Sequence, residues 1–85
     1  MKNRLSEYIA KKLPKLNEGI PARKKKWTRT QELVWLADQM GVRYETTRDW
    51  YHNVGQPAKP RMFELCKVYK APFSKFFYDE TNEKN

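Results

Sequence analysis

Apolar residues in this 85-residue chain recur at helical spacing in separate blocks, with Gly, Pro or polar punctuation between them. Leu5, Tyr8, Ile9, Leu13 and Leu16 form the first stripe and predict a helix from about Asn3. Pro14 removes a backbone donor and disfavours helix at Leu13, so the interior is expected to end near Lys12. A continuation to Leu16 through a short turn stays open. Asn17 to Pro21 is turn chemistry, and Arg23-Lys24-Lys25-Lys26 follows as a basic run in a loop spanning 17–27. Leu33, Leu36, Ala37 and Met40 then occupy one face of a second helix. Thr28 with Gln31 three residues on fits a capping box at its start, with Thr30 as the rival cap. Gly41 supplies a left-handed stop, and Val42 is expected to dock inward.

A short third helix, Tyr44 to His52, begins two residues after Val42, with Arg43 at its N-cap edge. Two helices joined by a three-residue Gly-containing turn are the helix-turn-helix signature, whose second helix can lie in a DNA major groove. Asn53 can take the left-handed position after this helix. Residues 54–60 read as loop, with Pro60 suited to a first helical turn. Met62, Leu65, Cys66 and Tyr69 mark a fourth stripe to about Lys70. Ala71-Pro72 breaks it, and Phe73, Phe76 and Phe77 predict a short final helix. Two adjacent phenylalanines exceed what a small core requires, so one of them, or Tyr78, is expected at the surface to meet a second copy. Residues 79–85 are a polar tail.

The order and spacing from Leu36 to Phe77 resemble the Cro/repressor-like (XRE) helix-turn-helix family of bacteria and their phages. Leu36-Ala37, Met40-Gly41-Val42, Trp50, Pro57 and the stretch from Met62 to Phe77 carry the resemblance, over about half of the chain. It implies an all-α, compact five-helix lambda-repressor-like domain over 1–78. It also implies that Thr47 and Trp50 face inward, leaving Tyr44, Glu45, Arg48 and Asp49 outward with Thr46 at the margin. Two positions depart from the family. Leu33 stands where a phosphate-contacting Gln is usual, and Thr47 stands where an aliphatic β-branched residue is usual, which predicts looser packing there.

Charge gives this face a partner. The net charge is +8, and residues 1–43 hold eleven Lys/Arg against four Asp/Glu. A compact cationic surface attracts polyanions by releasing their condensed counterions. Glu45 and Asp49 lie one helical turn apart and repel phosphates, so they suit a reader of sequence better than a general coat. A carboxylate can accept from the cytosine amine. Tyr44 and Glu45 are the candidate base readers, with an intrahelical ion pair as the bland alternative. Arg43 and Arg48 are candidate phosphate clamps. Lys59, beside a helix N-terminus, is another. Lys24, Lys25 and Lys26 either reach the backbone from their loop or are merely solvated.

Other classes find little support. His52 is the lone histidine and Cys66 the lone cysteine, with no Gly-rich phosphate loop, so neither catalysis nor a metal or cofactor site is indicated. Nothing at the start reads as a signal peptide, and no apolar run approaches a bilayer span. Cys66 is expected in the core. The expectation is a cytoplasmic transcriptional regulator of a phage or mobile element, binding double-stranded DNA, with a homodimer through the C-terminal aromatic helix. The competing readings are a protein-interaction role on the same fold, such as an antitoxin or antirepressor, and an excisionase-like or MerR-like DNA-binding module.

Overall fold

The computed structural model describes residues 1–21 and 26–79. Their order is β1 (Lys2–Asn3), α1 (Leu5–Leu16), α2 (Arg29–Met40), α3 (Tyr44–Tyr51), α4 (Lys59–Val68), α5 (Phe73–Phe76) and β2 (Phe77–Tyr78). The architecture is mostly helical. A purely helical expectation missed the pairing of the ends: β1 and β2 run antiparallel, with Lys2 opposite Tyr78 and Asn3 opposite Phe77. The amide of Arg4 extends this pairing by donating to the Phe76 carbonyl at 2.9 Å.

One apolar cluster joins all the helices. It contains Leu5 and Ile9 of α1, Leu33, Leu36 and Met40 of α2, Trp50 of α3, Leu65 and Cys66 of α4, Phe76 of α5, and Phe77. Fully burying a side chain of this size contributes roughly 1.5–3 kcal/mol. Burial also pushes the Cys66 thiol up from its ordinary pKa, as expected of a small core residue rather than a reactive one. Phe76 and Phe77 are both buried, which corrects the expectation of a surface ring there. Phe77 belongs to β2 rather than to the last helix, and pairing with β1 turns its side chain inward. Tyr78 is half-buried beneath the Arg4 guanidinium, 4.3 Å from its ring centre. The exposed ring of this region is Phe63.

Pro14 does not end α1, which continues to Leu16. The carbonyl deprived of its partner is that of Ala10, and Ala10 and Pro14 are both exposed, so water can satisfy it. Leu13 meanwhile packs against the core. The Asn17 side chain then closes the base of the following loop: its amide donates to the Trp27 carbonyl at 2.8 Å, and its oxygen accepts from the Trp27 amide.

Helix ends follow the local chemistry. Thr28 caps α2 with both bonds of the capping box to Gln31 present, which decides between Thr28 and Thr30. Three helices end alike. Val42, Val54 and Ala71 donate to the carbonyls of Ala37, Asp49 and Cys66. The residue before each donor is left-handed: Gly41 (φ 66°), Asn53 (φ 57°) and Lys70 (φ 51°). This is the Schellman arrangement, which satisfies the orphan carbonyls of a last turn.

Candidate nucleic-acid interface

Helix α3 is held by its own buried residues. Thr47 is fully buried, and its hydroxyl lies 2.9 Å from the carbonyls of both Leu33 and Tyr44. The substitution predicted to loosen this contact instead adds a hydrogen-bonded tether between α3 and α2. Trp50 is buried one turn further on. Asn3, also buried, donates its side-chain amide to the Trp50 carbonyl at 2.9 Å and to Gln56 at 2.8 Å. Asn53 completes this network, exchanging bonds with the Asn3 backbone amide and carbonyl. The N-terminal strand is thereby tied to the end of α3.

The opposite face of α3 points away from the core. Arg43, Glu45 and Arg48 are exposed, and Thr46 and Asp49 are half-buried. Tyr44 is less free than its sequence role implied, because it packs partly against the core. The Arg48 guanidinium sits 5.8 Å from the Tyr44 ring centre and its Nε lies 3.9 Å from the Asp49 carboxylate. Both partners of that ion pair are about half exposed, so it contributes little and leaves Arg48 free to exchange it for a phosphate. Arg43 occupies the extended N-cap position without a side-chain cap, as the sequence suggested. Its guanidinium is thus not committed to the helix end.

Lys59 is exposed at the first residue of α4, with Pro60 beside it in the first turn. Lys26 is exposed too; Lys24 and Lys25 lie outside the described residues. The structure therefore leaves Glu45 and Arg48 exposed on α3 with Thr46 and Asp49 half-buried beside them, and Arg43 exposed at the N-cap.

Three supporting residues escaped the sequence reading. Arg29 begins α2 with its guanidinium 5.1 Å from the Tyr51 ring centre, so a cation stands at the far end of α3. Arg61 reaches from α4 to donate to the Met40 carbonyl at 2.6 Å, holding the last turn of α2 beside Gly41. Glu32 is buried at 1% exposure and accepts from Lys12 Nζ (2.8 Å), Trp27 Nε1 (2.9 Å) and the Tyr69 hydroxyl (2.7 Å). Its carboxylate thereby joins α1, the entrance of α2 and the end of α4. A buried charge is tolerated only when paired and hydrogen-bonded in this way. Glu32 precedes Leu36 by one turn, so it continued the apolar stripe in sequence. Nothing local announced its three donors.

Trp27 and Trp35 are half-buried fillers, Trp35 lying under the Lys12 ammonium at 4.0 Å. Among the described residues no group of three or more His, Cys, Asp or Glu is placed to hold a metal ion, and no helix is long and apolar enough to cross a membrane. Comparison with family models, curated proteins and solved structures finds no match to this chain.

Proposed function

We propose that this protein is a sequence-specific double-stranded DNA-binding transcriptional regulator of the Cro/repressor-like helix-turn-helix kind, working in the cytoplasm of a bacterial or phage-infected cell. In this reading α2 and α3 are the two helices of the motif, and α3 enters the major groove. The observation that carries it is the geometry of Gly41 to Asn53. A left-handed glycine turn sets α3 against α2, Thr47 and Trp50 lock it there, and Arg43, Glu45 and Arg48 are left at the surface of a cationic chain. Arg43 and Arg48 clamp phosphates and set register, while Glu45 and Tyr44 read base edges. Thr46 and Asp49 flank them, and Lys59 and Lys26 add phosphate contacts at the margins. A homodimer on inverted half-sites about one helical turn apart completes the proposal.

Two observations weigh against the rival readings. The chain after α3 continues into α4 and α5 rather than into the hairpin of a winged module. Phe76 and Phe77, two of the three rings expected to offer a contact surface, are buried. The test is selection of bound sites from a random duplex library, followed by gel shifts across a salt series. Enrichment of one site with salt-sensitive binding is the expected result, and half-site symmetry reports the stoichiometry. No duplex binding near physiological ionic strength would overturn the reading.

A further inference from the structure

A second cationic surface lies between α1 and the end of α4, and none of the α3 residues lines it. It is a groove of about 350 Å³ whose apolar floor is formed by Tyr8, Val68 and Tyr69. Lys11, Lys12, Lys15 and Lys70 surround that floor, and no carboxylate is among the lining residues. Lys12 is committed to Glu32. Lys11, Lys15 and Lys70 are exposed and have no carboxylate partner among the described residues. Lys70 has a further peculiarity. It holds a left-handed backbone (φ 51°) at a helix end where glycine is the usual occupant. A long cationic side chain kept in that conformation, at the rim of a cationic groove, points to use rather than to folding.

We propose that this groove docks an acidic segment of a partner protein, one that carries apolar side chains between its carboxylates. Charge complementarity supplies the acids: three ammonium groups without a carboxylate partner line the site. The floor supplies the apolar requirement, and the stacking of both rings on Phe76 disfavours the main competitor. Single-stranded nucleic acid would need open aromatic faces on which to stack its bases. Tyr8 is stacked on Phe76 at 5.0 Å, with the Lys11 ammonium 6.0 Å from its centre. Tyr69 is stacked on the same Phe76 at 6.2 Å, with the Lys12 ammonium 5.3 Å from its centre. Each ring is thus already stacked on Phe76, which leaves less aromatic face for a base than a nucleic-acid platform offers. A duplex backbone would find the ammonium groups but has nothing to place on the apolar floor. The docking is independent of the DNA-binding reading and uses a different surface.

The test is fluorescence anisotropy with the full chain and a labelled synthetic peptide of roughly ten alternating Glu and Leu residues, at about 0.15 M salt. The groove variant is Lys15→Ala with Lys70→Gly, and the charge-matched control is Lys67→Ala with Lys75→Ala. The groove variant is expected to bind about ten-fold more weakly, and the control to stay within about two-fold of the wild type. Lys70→Gly suits its left-handed backbone, so the melting temperature is kept or raised and lost binding does not report unfolding. Equal losses in the two variants would reduce the effect to net charge and overturn the proposal. So would equal binding of the peptide with Gln in place of Glu, or no binding of the acidic peptide at all. Loss of duplex affinity in the groove variant, with peptide binding unchanged, would instead assign the groove to DNA.

Discussion

Buried hydrogen bonds at single side chains make the sharpest residue-scale predictions. Thr47→Val keeps the shape of the side chain but removes the hydroxyl held at 2.9 Å from two carbonyls. Both carbonyls belong to helices, so neither is left wholly unsatisfied. The expected loss is about 1 kcal/mol, read by chemical denaturation, with the helical content unchanged. Tyr69 sits in a different balance. Burial, the hydrogen bond to Glu32 and that carboxylate's charge hold the phenol well above its ordinary value of 10.0. The unfolded chain therefore gives up this proton first as pH rises. Tyr69 contributes its full stabilisation below about pH 10 and loses it progressively above, since the native form resists ionisation. Tyr69→Phe is expected to cost about 1 kcal/mol near neutral pH. The gap between variant and wild type should close towards about pH 11, and a gap constant with pH would remove the coupling.

At the element scale, three left-handed residues at three helix ends separate conformational strain from side-chain work. A Cβ at Gly41 would meet nothing within 4 Å, so Gly41→Ala is penalised by its backbone alone. That penalty is about 1 kcal/mol, with weaker anchoring of α3. Lys70→Gly relieves the same strain and is expected to stabilise by about 1 kcal/mol. Asn53→Gly should do the reverse despite an equally suitable backbone, because the Asn53 side chain bonds to both the amide and carbonyl of Asn3 and accepts from Gln56. Thermal melts of the three variants rank them. If Asn53→Gly were as stable as Lys70→Gly, the Asn3 network would be idle.

For the whole molecule the governing quantity is charge placed outside a shared core. In the proposed complex, Arg48→Ala is expected to weaken every duplex alike and to flatten the slope of log affinity against log salt by about one. Glu45→Ala should instead relax preference at one base pair while binding of random duplex rises slightly, since a phosphate-repelling charge has gone. Titration of selected and scrambled sites across the salt series distinguishes the two outcomes. Reversed roles would mean that the clamp and the reader had been exchanged.

The sequence by itself determined the helical blocks, the Gly41 and Asn53 stops, the choice of Thr28 or Thr30 as the cap of α2, and the inward course of Leu33, Leu36, Met40 and Leu65. Each of these follows from spacing or from backbone chemistry within a few residues. It misjudged Pro14 and Phe77, because each depended on what lay around it: solvent access for the Ala10 carbonyl, and a strand from the N-terminus against Phe77. Only the tertiary structure decided that Glu32 is a buried junction, that Arg61 holds the end of α2, and that Asn3 binds the end of α3. Apart from Trp27, five positions before Glu32, their partners lie 20 to 50 positions away in the chain, and long-range polar contacts leave no periodicity to read.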